Sequence, residues 1–222
     1  MNAPPQSQRV WDLPTRLFHW SLVVLIGLQY ATGEFHFLDM DWHFRFGYAT
    51  LVLIAFRVLW GFFGSQTSRF ADFVRGPGAV WRYLRESMSA HVPTRIGHNP
   101  LGGWSVLALL ACVAVQAISG LFASDDIDTD GPLVAHVSGK TVKLMTRVHH
   151  WNENLLLVLI GLHIVAVLLY LLLKHDNLIT PMFTGAKRVG AMRDLRFASS
   201  WLALVLVALC AALVATLVWW AA

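Results

Sequence analysis

Ten histidines stand in a chain of 222 residues that is 56% hydrophobic and only 14% charged. Four of them, His19, His43, His149 and His163, lie inside or at the ends of apolar stretches. An imidazole in such surroundings is costly unless it holds a cofactor or carries protons. Spacing favours the cofactor. His149 and His163 are 14 residues apart, which on a helix is a rise of roughly 21 Å and brings the two rings within about 40° of one face. Arg57 follows His43 by the same 14, and Gly33 follows His19 by 14 again. One helix thus offers two imidazoles, a second an imidazole and a guanidinium, and a third an imidazole and a gap. A metal gripped between pairs of neutral imidazoles is the chemistry such a ladder serves.

The elements that must position these residues are five apolar stretches, at about 17–33, 44–63, 101–123, 150–173 and 197–222. Each is close to the roughly 20 residues that cross a bilayer. The first is expected to stay in the protein, since a polar, proline-bearing leader precedes it and no small-residue cleavage motif follows. Lys and Arg set the orientation. With the N-terminus inside, the inner segments collect Arg9, Arg16, Arg69, Arg75, Arg82, Arg85, Arg95, Lys174, Lys187, Arg188, Arg193 and Arg196, twelve of the seventeen. The net charge of +4 is therefore a topology signal, and no basic domain suggests nucleic-acid binding. The expectation is an all-α, multi-pass, N-in/C-out membrane protein, with an amphipathic inner helix starting at Pro77 and carrying Val80, Trp81, Leu84 and Met88. Neither an internal repeat nor a low-complexity tract is evident.

Topology then sorts the histidines by depth. The first span runs outward, so His19 lies near the inner face. The second and fourth run inward, so His43 and His149 lie near the outer face and His163 sits level with His19. Pairing by depth gives His43 with His149 and His19 with His163. Two stacked imidazole pairs in a helix bundle fit two b-type haems, each iron holding two nitrogens with no position open. Arg57 at inner-pair depth would neutralise a haem propionate. Gly33 at outer-pair depth and Gly47 one turn past His43 would let a porphyrin approach the backbone. His36 competes with His43, and His150 with His149, although its interval of 13 to His163 turns it about 100° further off the face.

The sequence resembles the bacterial dihaem cytochrome b group that includes cytochrome b561 and the b-type cytochrome subunits of nickel-iron hydrogenases. The carriers are Val10-Trp11-Asp12-Leu13-Pro14-Thr15-Arg16-Leu17-Phe18-His19-Trp20, the run from His43 through Gly47 to Arg57-Val58-Leu59-Trp60-Gly61, Gly97-His98-Asn99-Pro100-Leu101-Gly102-Gly103, and His149, Asn154, Leu155 and His163 followed by Met182-Phe183-Thr184-Gly185. His150 stands where the group carries an acidic residue. The resemblance implies a four-helix bundle holding two haems b in the bacterial inner membrane. It also implies electron transfer between quinone, ubiquinone or menaquinone, and a periplasmic partner such as a c-type cytochrome. Residues 1–185 would form that bundle, and 186–222 an inner connection and a fifth span.

Other features carry less. Cys112 and Cys210 sit mid-span without a Cys-x-x-Cys-His pattern, which excludes thioether-attached haem, iron–sulfur clusters and zinc ribbons. Asp126, Asp128 and Asp130 copy half of a calcium loop, but Val137 stands where the bidentate Glu belongs; an acidic surface for a basic electron carrier suits them better. His98, with Arg95 and Asn99, is a candidate quinone contact. No catalytic residue set stands out. The alternatives are a quinone oxidoreductase whose outer haem reacts with a small molecule such as superoxide, drawn in by Lys140, Lys143 and Arg147, and a cytochrome subunit of a hydrogenase or similar assembly. An oligomer is compatible with either, and a haem-free proton transporter is the remaining alternative.

Overall fold

The computed structural model describes residues 6–87 and 96–221; Met88 of the expected inner helix and Arg95 of the His98 turn lie outside them. Helix starts follow from short polar side chains that satisfy the first free N–H groups. Asp12 accepts from Thr15 N at 2.8 Å and Pro14 falls in the first turn, which starts α1 (Leu13–Glu34). Asp39 caps α2 (Met40–Phe63). After the short helices α3 (Phe70–Phe73) and α4 (Pro77–Ser87), Asn99 accepts from Gly102 N at 2.8 Å to start α5 (Pro100–Gly120). Ser138 caps α6 (Gly139–Leu173); α7 (Ile179–Thr184) and α8 (Ser200–Ala221) follow. Among the described residues, α2, α5, α6 and α8 are long and apolar enough to cross a membrane; α1 has the length, 22 residues, with more polar groups in it.

α2 is the spine. Its Phe56 and Trp60 pack with Phe18 of α1 and Ala203 and Cys210 of α8, while its Ile54 packs with Cys112 and Val113 of α5 and Leu156 of α6. The bundle is therefore two antiparallel hairpins, α1–α2 and α5–α6, with α8 laid against the first.

The inner end is closed by a collar. Strand β1 (Gln6–Arg9) pairs antiparallel with β2 (Ala186–Val189). The N–H groups of Val10 and Trp11 both donate to Gly185 O, at 2.7 and 3.1 Å. Gly185 has φ +80°, and a Cβ there would lie 2.8 Å from Trp11 O, so this turn requires glycine. Thr67 Oγ1 donates to Val10 O at 2.7 Å and Trp60, fully buried, donates from Nε1 to Asp12 at 3.1 Å. Ser65 and Gln66 accept from Ala198 N and Arg196 N, which fastens the approach to α8.

One feature differs from what the apolar runs suggest. α6 begins eleven residues before its apolar stretch and, at 35 residues, is about 52 Å long against a hydrocarbon core of about 30 Å. Lys140, Lys143 and Arg147 end the hydropathy signal but not the helix, which runs back to its Ser138 cap. The amphipathic helix expected from Pro77 exists as α4, with Trp81 exposed and Tyr83 buried where its hydroxyl meets that of Tyr170. In the acidic outer segment, Asp125 Oδ1 accepts from the N–H groups of Ile127, Asp128 and Thr129 at 2.9–3.1 Å. Those bonds, led by Ile127, hold its carboxyl down at about 2. Substituting Asp125→Ala should speed amide exchange at Ile127 to Thr129 at neutral pH, and Asp126→Ala should leave those amides unchanged; hydrogen-exchange mass spectrometry distinguishes the two.

Candidate functional site

The structure brings the four histidines together in two pairs. His43 of α2 faces His149 of α6 with ring centroids 6.4 Å apart and planes at 73°; His19 of α1 faces His163 of α6, also at 6.4 Å, with planes at 54°. Two metal–imidazole bonds of about 2 Å each, placed in line, would put ring centroids roughly 6 Å apart. Both pairs have that opening. His36 lies exposed in the α1–α2 connection, and His150 is exposed beside His149, so neither is the ring set opposite a partner.

The outer pair is held from behind. His43 Nδ1 lies 3.2 Å from Gln29 O and 3.1 Å from Thr32 Oγ1, and His149 Nδ1 lies 3.0 Å from Gln116 O and 3.2 Å from Ser119 Oγ. A carbonyl only accepts, so Nδ1 carries the proton in both rings and Nε2 keeps a free lone pair. Metal-ligating histidines make this commitment with their second nitrogen. Gly33 sits against His43, where a Cβ would come 3.4 Å from the ring. Gly120 holds the matching place, with a Cβ only 2.9 Å from His149 Cε1. A Cβ on Gly47 would meet the Gln29 amide, at 3.4 Å, and not the His43 ring.

The inner end has a different character. Arg57 is 3% exposed, its guanidinium lying over Phe70 and Phe73 at 5.2 and 6.0 Å, and one Nη1 has no partner. Asp12 interacts with its charge, yet both Asp12 oxygens are engaged, by Thr15 N and Trp60 Nε1. Arg16 Nε, His19 Nδ1 and His98 Nδ1 are likewise buried without a hydrogen-bond partner. His98 packs edge-on to Trp11 at 4.8 Å and tilted to Phe73 at 4.7 Å. Burial, then the charges of Arg57 and His163, lower its pKa to about 3, so it stays neutral at physiological pH. Four unpartnered buried polar atoms at one end of a bundle call for an acceptor, and the two cationic ones call for an anion.

The family model of prokaryotic cytochrome b561 matches residues 10–185. This chain belongs to that family. The cytochrome is thus a bacterial membrane protein of helical fold that moves electrons across the bilayer with b-type haem. No curated protein and no solved structure matches it. The cytochrome's residues fit that group on its own geometry. The ring pairs leave room for an iron between them, Nε2 is free at the outer pair, and Arg57 and Arg16 lack the anion that haem propionates would provide.

The sequence reading reached the four histidines, Arg57, Gly33 and Gly47, but not Gln29, Thr32, Gln116, Ser119, Gly120 or the inner role of Arg16. A signal for five of these six exists: Gln29-Tyr30-Ala31-Thr32-Gly33 recurs 87 residues later as Gln116-Ala117-Ile118-Ser119-Gly120, and the helix caps Asp12 and Asn99 keep the same interval. Gly120→Ala should displace the His149 ring and change the haem absorption, whereas Gly33→Ala should be milder; the reduced-minus-oxidised α-band of the two purified variants decides.

Proposed function

We propose that this cytochrome b561 passes single electrons across the bacterial inner membrane through two haems b. His43 and His149 would hold the outer one and His19 and His163 the inner one, with the N-terminus inside and the C-terminus outside. The observation that carries the reading is the pair of matched openings at 6.4 Å, set roughly 21 Å apart along α6 by its 14-residue interval. Haem b, held by these histidines, would supply reversible one-electron reduction at each site. The protein's residues do the rest. α6 fixes the distance between the sites, Arg57 and Arg16 neutralise carboxylates in a medium where a bare charge is costly, and Gly33 and Gly47 keep the outer site free of side-chain bulk. Residues 1–185 form this electron-transfer unit, and 186–222 add the connection and fifth span.

Two surfaces suit redox partners. At the outer end, Asp126, Asp128 and Asp130 are exposed, and since Asp125 is taken up by backbone N–H groups, these three carboxylates meet a basic carrier such as a periplasmic c-type cytochrome. At the inner end, a cleft of about 700 Å³ lies among Phe73, His98, Pro100 and Gly190, with Arg75 and Arg193 at its walls. The Phe73 ring beside the His98 imidazole, with Asp72 and the two arginines around them, suits the ring and carbonyl edge of a ubiquinone or menaquinone head group. Replacing His163 by Ala should leave one haem per chain and stop electron transfer from an outer donor to quinone in proteoliposomes. Retention of both haems in that variant contradicts the pairing.

A further inference from the structure

The two hairpins hold their outer histidines with the same device. In α1, the Gln29 carbonyl and the Thr32 hydroxyl share the Nδ1 proton of His43; in α5, the Gln116 carbonyl and the Ser119 hydroxyl share that of His149. Neither hydroxyl competes for the role of donor. Thr32 Oγ1 gives its own proton to the Leu28 and Gln29 carbonyls at 2.9 and 3.0 Å, and Ser119 Oγ gives its proton to the Gln116 carbonyl at 3.1 Å. Both oxygens therefore present lone pairs to the imidazole. The glutamine side chains clasp each hairpin at the same level: Gln29 Oε1 accepts from Thr50 of α2 at 3.3 Å, and Gln116 Oε1 from Asn152 of α6 at 2.8 Å. The glycine that ends each motif leaves room for the ring. The inner pair lacks this support, for His19 Nδ1 is buried with no acceptor.

We infer that Thr32 and Ser119, with the carbonyls of Gln29 and Gln116, are positioning residues that lower the reduction potential of the outer haem below that of the inner one. The inference rests on the two-haem reading. An Nδ1–H that donates to two oxygens shifts electron density onto Nε2 and makes the imidazole a stronger donor. A stronger axial donor favours ferric over ferrous iron and so lowers the potential. An electron moving from the outer iron to the inner iron oxidises the first and reduces the second by one electron, with no bond made or broken. That transfer then runs downhill inward, from an outer reductant toward a quinone as acceptor.

The test is a potentiometric titration of the purified, haem-loaded cytochrome with the α-band and low-temperature electron paramagnetic resonance followed together. Wild-type protein, Thr32→Val, Ser119→Ala, their double variant and the hydroxyl-keeping Thr32→Ser and Ser119→Thr are compared. The expected result is two steps in the wild type, with the lower step moving upward in each deletion, further in the double variant, and returning in the hydroxyl-keeping forms. The g-values of that haem alone should change, and His19→Ala should remove the upper step. Two haems whose potentials and spectra ignore these substitutions overturn the inference while leaving the two-haem reading intact, as does a motif-sensitive haem that titrates above its neighbour. A wild type with a single haem overturns the reading beneath it. If a deletion variant loses its haem, the wild-type order of potentials and the hydroxyl-keeping pair still decide.

Discussion

In the proposed reading each outer imidazole offers a lone pair inside a bilayer and so has to give up its N–H to something else, and the outer end of the bundle meets that requirement. Within the hydrocarbon region such an acceptor has to come from the protein. In a helix the backbone carbonyls are already committed to N–H groups four residues on, but each retains a second lone pair. Gln29 O and Gln116 O share that second site between the Thr32 or Ser119 hydroxyl and the Nδ1–H of His43 or His149. For the geometry to work, each hairpin must hold its two helices close at that level, which the Thr50–Gln29 and Asn152–Gln116 bonds do, and no Cβ can intrude, which Gly33 and Gly120 ensure.

The inner end solves a different problem, that of charge. Its arginines, Arg57 buried and Arg16 half-buried, are held in place by aromatic rings and by a backbone oxygen: Arg57 by Phe70 and Phe73, and Arg16 by the Phe183 carbonyl. Those contacts position a guanidinium without neutralising it. The collar of β1, β2 and the 65–69 turn keeps water from it, sealing Trp60, Ser65 and Ser68 completely. Burying such a charge is costly; Asp12 offsets part of it, and in the proposed reading haem propionates supply the rest. Fold and cofactor would then depend on each other at this end more than at the outer one.

How much of this was legible in the sequence follows from where each signal sits. The 14-residue ladder is a strictly local, helical signal, and the rings it aligns do face one another. Helix existence and order were readable from apolar runs and from caps such as Asp12 and Asn99. The extension of α6 was not, because Lys140, Lys143 and Arg147 end a hydropathy pattern without breaking a helix. Pairing of Gln6–Arg9 with Ala186–Val189 was not, since two four-residue segments, one polar and one mixed, far apart in the chain carry no register signal of their own. The matched motifs in α1 and α5 went unseen as a repeat because only the glutamine, one hydroxyl and the glycine recur, over 87 residues, while the residues between them pack against different neighbours. Arg16 read as a topology charge, and only its unpartnered Nε gives it a place near the inner pair.

The measurement that tests the central claim most directly is the haem-to-protein ratio of the detergent-purified chain by pyridine haemochrome, with spin state read from the same sample. Two haems b per chain, both low-spin and indifferent to carbon monoxide, are the predicted result. One haem per chain, or a high-spin form that binds carbon monoxide, would contradict the assignment of four histidines to two irons.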